Sequence, residues 1–209
     1  MERSNNAAVV TVQGLRFGWP GIPLFDQLDW VLPAGLSVVC GEESCGKTTF
    51  LRLLSGDLSA ERGSIVLHGT ADSALAKQVF RTDPRSDAFD AISAQTWWNG
   101  LPARYPHFNV RLALDLAHGF ALTPHIEKPM YMLSAGSKRK VWLCAAFAAG
   151  TALTLIDEPF AALDMASIRF LHGLLEETSS HPERAWLLAD HTPPEGLVLQ
   201  KQLLLPTAH

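Results

Sequence analysis

One stretch, Gly41–Phe50 (GEESCGKTTF), constrains the fold more than any other part of this sequence. It follows a continuous apolar run, Leu36–Cys40, which is typical of a strand buried on both faces. The next residues, Gly46–Ser55, have the apolar spacing of a helix that ends before Gly56. The pattern G-x-x-x-x-G-K-[ST] is matched by Gly41, Gly46, Lys47 and Thr48. A strand, this loop and a helix in that order predict a phosphate-binding site in an α/β core.

The backbone of this loop, more than its side chains, is expected to bind the phosphates. Successive N–H groups converge on the anion together with the unpaired N–H groups that begin the helix. Lys47 adds a positive charge near the β- and γ-phosphates, and the Thr48 hydroxyl is a ligand for Mg²⁺. Glu42 and Glu43 do not exclude the anion, because their side chains can point outward while their amides point inward. The loop residues predicted to contact nucleotide are Gly41, Ser44, Cys45, Gly46, Lys47, Thr48 and Thr49.

Composition narrows the class of protein. Of the 209 residues, 47% are hydrophobic and 18% are charged, which indicates a folded globular chain. The formal net charge is −4, without the basic excess that phosphate-backbone binding requires, so nucleic acid is not expected as a partner. The three cysteines have neither metal-ligand nor disulfide spacing, and the sequence begins without an apolar signal segment. A reduced, cytoplasmic setting is therefore the expectation.

Strand-like and helix-like segments alternate along the chain, which predicts an α/β fold with a largely parallel sheet. Together with the phosphate loop, we expect a P-loop NTPase core with a mixed, mostly parallel sheet and N-terminal antiparallel strands. Further strands are expected at Val9–Gln13, Asp29–Leu32, Ser64–Leu67, Gln78–Phe80, Leu153–Ile156, Ala185–Ala189 and Leu197–Leu204, and a helix at Ala166–Glu177. The proline-containing residues 83–140 have helical patches at Ala94–Trp98 and Arg111–Gly119. We interpret them as an inserted helical subdomain, and residues 1–82 and 141–209 as the nucleotide-binding core.

The apolar run Val141–Ile156 is too short to span a bilayer, which takes about 20 residues. Gly150 interrupts it, so a buried helix followed by a buried strand is predicted.

A second group of acids follows a strand in Leu153–Pro159 (LTLIDEP). If this strand ends beside the phosphate loop, Asp157 can hold Mg²⁺ and Glu158 can polarise an attacking water. The alternative is a strand-terminal turn with two solvated acids.

Three more motifs accompany these two: Leu133–Lys140 (LSAGSKRK), Ala161–Asp164 (AALD) and an apolar run that ends in His191 (WLLADH). Together and in this order, they resemble the ATP-binding subunit of ABC transporters, from about Val9 to His191. The resemblance implies ATP and Mg²⁺ as cofactors and a homodimer in which ATP lies between one phosphate loop and the other chain's signature segment. It also implies a separate membrane-spanning partner and a peripheral place on the inner face of the cell membrane.

The resemblance also implies roles for single residues. Ser134, Ala135 and Gly136 form the signature that faces the partner copy's γ-phosphate. Glu158 resembles the general base, His191 the γ-phosphate sensor and Asp164 the residue that couples the two sites. Trp19 resembles the aromatic residue that stacks on adenine, with Phe17 as the alternative and core packing as a competing role for both. For the basic residues Lys138, Arg139 and Lys140, we expect a solvated face in preference to phosphate contact.

Departures from the family pattern concern the signature, the phosphate loop and a missing glutamine. Ala135 and Ser137 replace the usual glycine and glutamine, and Ser44 replaces a frequent glycine. After the strand that ends at Phe80, the family places a Mg²⁺-contacting glutamine that senses the membrane partner, whereas this chain has Arg81 and Thr82. An arginine there is expected to bring positive charge toward the phosphates, and Gln78 is the alternative through a register shift.

Tyr105–Asn109 (YPHFN) resembles exporter-type subunits. The membrane-spanning partner is expected to dock on the insertion. The aromatic residues of the insertion form either that interface or the insertion's own small core. These residues are Trp97, Trp98, Tyr105 and Phe108. Two other functions stay open: a soluble ABC-type ATPase that acts on nucleic acid or the ribosome, and a regulatory subunit with low turnover.

Overall fold

The computed structural model describes residues 7–69 and 75–206, so the N-terminus on which the signal-peptide argument depends lies outside the described residues. The strands are β1 (Ala8–Trp19), β2 (Ile22–Pro33), β3 (Gly35–Cys40), β4 (Arg62–Leu67), β5 (Val79–Arg81), β6 (Leu153–Asp157), β7 (Ala185–Asp190) and β8 (Lys201–Leu204). The helices are α1 (Lys47–Leu54), α2 (Leu75–Gln78), α3 (Ala94–Gly100), α4 (Val110–Gly119), α5 (Ala135–Ala148) and α6 (Met165–Thr178).

The predicted parallel strands and N-terminal antiparallel strands are both present, but they form two separate sheets and not one mixed sheet. Strands β2, β1 and β4 form an antiparallel sheet near the N-terminus. Strands β5, β6, β7, β3 and β8, in that order, form a parallel sheet. Every residue of β3 is buried, including Ser37, which agrees with its mostly apolar sequence.

The strand order brings three loops to one edge of the parallel sheet. Strand β7 lies between β3 and β6, with Cys40 opposite Asp190 and Asp157 opposite Ala189. The expectation that β6 ends directly beside the phosphate-loop strand is therefore wrong by one strand. Because parallel strands end at the same edge, the loops after β3, β6 and β7 still meet there, as ligand sites of open α/β sheets do.

The segment between β5 and β6 is helical and contains α3, α4 and α5. Its aromatic residues are buried, with exposed fractions of 0% for Trp98 and 5%, 6% and 7% for Trp97, Tyr105 and Phe108. They share one hydrophobic cluster with residues of the parallel sheet such as Val38 and Phe80. Their role as an exposed interface is therefore wrong, and packing inside the molecule explains them. The proposed boundary after residue 140 falls within α5.

The run Val141–Ile156 divides as predicted into the buried end of α5 and strand β6, with Gly150 at φ 66 between them. Within the described ranges, no helix is long and apolar enough to cross a membrane. Two other predictions differ in detail. Gln78 ends α2 and does not begin a strand, and the last strand is only Lys201–Leu204.

Candidate functional site

The loop after β3 has the backbone that a phosphate cradle requires. Gly46 precedes α1 with φ 98, and a Cβ there would lie 3.2 Å from the Phe25 ring, so this position needs glycine. Ser44 has φ 60, the left-handed conformation that glycine adopts more readily. The replacement of glycine by serine is thus accommodated at some cost in backbone strain. The N–H groups that begin α1 remain available to an anion, because the residue before the helix makes no side-chain cap.

Lys47 is held inside this loop by its own carbonyl groups. Its Nζ donates to the carbonyl oxygens of Gly41 at 2.6 Å and Glu42 at 2.7 Å, and the side chain is buried. A β- or γ-phosphate is a stronger acceptor for an ammonium group than a neutral carbonyl. Lys47 is therefore positioned to exchange these carbonyls for a bound phosphate.

Thr48 and Asp157 meet as a potential Mg²⁺ site. Thr48 Oγ1 donates to Asp157 Oδ2 at 2.6 Å, which joins the first turn of α1 to the end of β6. A hydroxyl and a carboxylate are the hard oxygen ligands that Mg²⁺ prefers, and bound phosphates supply others. Burial raises the pKa of the Asp157 carboxyl, and the hydrogen bond from Thr48 opposes that rise.

Replacing this half-buried acid by its amide should separate stability from activity. A raised carboxyl pKa means that stability is lost as the pH rises from the ordinary carboxyl range through the folded pKa. Asp157→Asn removes this loss, so at neutral pH we expect its melting temperature to lie above that of the native chain. The gain should vanish near pH 3, where the native carboxyl is protonated too. Calorimetry of both proteins at several pH values measures this difference in melting temperature. If Asp157→Asn is less stable than the native chain at neutral pH, the prediction is contradicted. Mg²⁺-dependent turnover should be lost.

Glu158 follows Asp157 with φ 47, a strained conformation for a residue with a side chain. Two arginines hold it there. Arg139 Nη1 donates to the carbonyl oxygens of both Asp157 (2.9 Å) and Glu158, and Arg139 Nη2 lies 3.9 Å from Glu158 Oε2. Arg85 Nη2 donates to the same Oε2 at 2.7 Å. Neither contact could be predicted from the sequence, since both arginines are distant from Glu158 along the chain.

The prediction of a solvated basic face for residues 138–140 is wrong. Lys138 pairs with Asp90 at 2.6 Å, Lys140 with Asp164 at 2.7 Å, and Arg139 is buried against the end of β6. All three side chains therefore connect α5 to neighbouring segments. They do not form a free cationic surface, and none of them lines the cavity at the phosphate loop.

These residues surround a cavity of about 900 Å³, large enough for a nucleotide. Its lining unites the loop with the acids after β6 and the histidine after β7, and includes Trp19, Ser44, Gly46, Lys47, Thr48, Thr49, Asp157, Glu158 and His191. Trp19 is 42% exposed at its rim, whereas Phe17 is buried and meets it edge to face at 5.3 Å. Of the two aromatic residues, Trp19 is the one accessible to a base. Gly41 and Cys45 are buried behind the loop and do not line the cavity.

The signature residues lie apart from this cavity. Ser134 caps α5 by accepting a hydrogen bond from the Ser137 amide at 3.2 Å, and neither it, Ala135 nor Gly136 lines the cavity. Ala135 lies within α5 and needs no positive φ, so its methyl group is tolerated. A Cβ at Gly136 would overlap the Ala162 carbonyl oxygen, which explains the second glycine of the motif.

Asp164 also lies outside the cavity, as the N-cap of α6. Its Oδ1 accepts from the Ser167 amide at 2.9 Å and its Oδ2 from Lys140. The hydrogen bond from Lys140 lowers the pKa of this carboxyl, followed by those from Ser167. The AALD turn is thereby attached to the signature helix of its own chain.

No glutamine among the described residues takes the place of the missing one, because Gln78 and Gln95 do not line the cavity. Arg81 does not bring its charge there either, since it pairs with Asp57 at 2.8 Å and Asp83 at 3.1 Å. Arg85, four residues later, is the arginine that reaches the cavity. Thr82 is buried and accepts a hydrogen bond from the Asp157 amide at 3.2 Å.

Known proteins are similar to this chain in sequence and in fold. The cobalt import ATP-binding protein CbiO of Rhodobacter capsulatus is 30% identical over 188 residues, which cover 79% of this chain and 65% of that protein. The taurine import ATP-binding protein TauB of Yersinia pestis is 28% identical, with 94% and 79% covered. A solved ABC transporter ATP-binding protein of Pyrococcus furiosus has the same fold, with a TM-score of 0.77 at 18% identity and 94% and 96% coverage.

These names give no support to the resemblance of Tyr105–Asn109 to exporters, since CbiO and TauB are import proteins. They also differ in cargo, so the cargo of this chain does not follow from them. The ABC transporter family model matches residues 25–161, which include the phosphate loop, the signature and the acids after β6. The chain therefore belongs to the ABC transporter family, as one of its ATP-binding subunits, which are ATPases.

Proposed function

We propose that two copies of this chain close head to tail around two ATP molecules, and that hydrolysis there drives transport through a separate membrane-spanning partner. One observation carries the dimer. The cavity gathers the phosphate loop, both acids and His191, but none of the signature residues, so a second copy has to bring its Ser134–Gly136 segment to the open side. Trp19 stacks on adenine, and the helix dipole of the partner copy's α5 favours the γ-phosphate.

In this arrangement, each residue has a distinct task. Lys47 and the loop amides bind the β- and γ-phosphates, and Thr48 and Asp157 hold Mg²⁺, which neutralises charge between the phosphates. Glu158 accepts a proton from the attacking water, and His191 contacts the γ-phosphate. Asp164 and Lys140 connect the signature helix with the AALD turn, a route by which the two sites can influence each other.

The partner is proposed to dock in a second cleft of about 550 Å³ between the insertion and the parallel sheet. Its floor is aromatic and its rim carries charges, a composition suited to a protein interface. The lining includes Trp97, Tyr105, Trp142, Arg81, Asp83 and Arg104. Although the insertion's aromatic residues are buried, two of them thus still form the base of the docking cleft. Such docking places the chain on the inner face of the membrane.

Mixing two inactive variants tests the composite site, that is, a nucleotide site formed by the phosphate loop of one copy and the signature segment of the other. Lys47→Ala removes the phosphate lysine, and Ser134→Arg places a bulky cation in the signature at an exposed position. In a mixed dimer, one site combines the intact loop of one chain with the intact signature of the other. A symmetric dimer predicts that an equimolar mixture recovers about a quarter of the native turnover, because about half of the dimers are mixed and each has one intact site.

The matched control mixes Lys47→Ala with Thr48→Ala. Both changes affect the loop, so no intact site can form and no turnover should return. Phosphate release is the measurement for both mixtures. If the Lys47→Ala and Ser134→Arg mixture stays inactive, or the loop-only mixture recovers equally, the composite site is contradicted.

A further inference from the structure

We propose that Arg85 is an electrostatic latch that withholds Glu158 from catalysis while the chain lacks its membrane partner. This inference rests on the proposed function, because it takes Glu158 as the group that accepts the proton of the attacking water. It assigns to this chain a positioning residue in the segment where the family glutamine is missing.

The contact itself occupies the reactive oxygen. Arg85 Nη2 donates to Glu158 Oε2 at 2.7 Å, and Arg139 approaches that oxygen to 3.9 Å. A carboxylate oxygen that accepts a hydrogen bond from a guanidinium has less capacity to accept the proton of a water. The two arginines differ, however. Arg139 is buried and fixes the backbone of Asp157 and Glu158, whereas the Arg85 side chain is 78% exposed and free to move away.

The segment that carries Arg85 connects two sites. Arg85 lines the nucleotide cavity, while its neighbours Asp83, Ser86, Phe89 and Ile92 line the second cleft. Asp90 of the same segment pairs with Lys138 of α5 at 2.6 Å, which attaches the segment to the signature helix. A segment in contact with the cleft, the signature helix and Glu158 can transfer the docking of a partner to the base. Docking that shifts this segment separates Arg85 from Glu158.

The size of the effect is limited by solvent. An exposed ion pair contributes up to about 1 kcal/mol, so the latch can slow turnover by about fivefold at most. We therefore expect a modest brake on the isolated chain. Arg85→Ala should raise its turnover by about two- to fivefold, with MgATP affinity unchanged.

Arg111→Ala is the matched control, because Arg111 is similarly exposed, at 83%, and pairs with Asp115 on α4 outside both cavities. It should leave turnover unchanged. Steady-state phosphate release by the purified chain compares native protein, Arg85→Ala, Arg111→Ala and Arg85→Ala combined with Glu158→Gln. The double variant should be as inactive as Glu158→Gln alone. A fall in turnover for Arg85→Ala would show that Arg85 assists the reaction and would overturn the latch, as would no change.

Hydrogen exchange provides a readout independent of turnover. Without nucleotide, Arg85→Ala and Glu158→Gln break or weaken the same pair, so each should speed amide exchange in residues 83–92, and the double variant should add little. Equal exchange in Arg85→Ala and native protein would overturn the latch. If the native chain has no turnover at all, the proposed function is contradicted. In that case, the hydrogen-exchange comparison alone tests whether Arg85 holds Glu158.

Discussion

Lys47→Ala is expected to lower the affinity for ATP by about ten- to a hundredfold. The ammonium group is the one side-chain cation that the loop itself encloses, and a hydrogen bond between charged groups contributes about 1.5–3 kcal/mol. Alanine also leaves the carbonyls of Gly41 and Glu42 without the donor that binds them at 2.6 and 2.7 Å in the nucleotide-free chain. The loop should therefore lose stability as well as affinity.

Titration with a fluorescent ATP analogue measures the affinity, and the melting temperature reports the folded state. Lys128→Ala is the matched control, because Lys128 is an exposed lysine whose Nζ lies 3.2 Å from His125 Nδ1 and which does not line the nucleotide cavity. It should bind ATP like the native chain. An affinity of Lys47→Ala within tenfold of the native value, with an intact fold, would mean that the loop amides bind the phosphates without this lysine.

Glu158→Gln is expected to reduce turnover by about a thousandfold, within the range for loss of a general base. Glutamine has the same shape, accepts a hydrogen bond from Arg85 through its amide oxygen, and leaves the main-chain contacts of Arg139 in place. The variant should therefore fold and bind MgATP. Since ATP is bound and hardly hydrolysed, the closed dimer should accumulate.

Phosphate release measures turnover, and gel filtration with light scattering in the presence of MgATP measures the dimer. Glu127→Gln, at an exposed glutamate outside the nucleotide cavity, is the control and should behave like the native chain. Unchanged turnover in Glu158→Gln would assign the base to another residue. If turnover is lost but the particle stays strictly monomeric at saturating MgATP, the assignment of Glu158 as general base would stand. The head-to-tail dimer would be contradicted.

Stability and function oppose each other at the end of β6. The half-buried Asp157 has a raised pKa, and Glu158 has a strained backbone, so both residues reduce the stability of the chain. Arg139 offsets part of this cost by donating to both carbonyls. Strain of this kind persists where the surrounding structure enforces it, and it is typical of functional sites.

Much of the fold could be predicted from the sequence because the relevant signals are local. The mostly apolar residues of β3 predict its burial, and the glycine at 46 has the conformation that the loop pattern requires. The apolar run from Val141 to Ile156 contains its own break at Gly150. The order of the motifs was enough to predict the family, because each motif is a short segment that can be recognised from neighbouring residues alone.

Contacts between distant segments could not be predicted in the same way. Arg85 and Glu158 are 73 residues apart, and Arg139 and Glu158 are 19 apart, with nothing in either local pattern to pair them. The basic residues 138–140 have the composition of a solvated face, yet each has a partner in another segment. Likewise, aromatic residues of the insertion are apolar enough for an interface, and only the packing against the sheet shows that they are buried.

The sequence by itself determined the phosphate loop, the α/β class and the family, because strand and helix periodicity and loop backbone are encoded within a few neighbouring positions. Only the tertiary structure decided that β7 separates β3 from β6, that the signature segment lies away from its own chain's cavity, and that two arginines hold Glu158. These features depend on which strands and helices pack side by side, and that choice reflects the burial of the whole apolar surface of the chain.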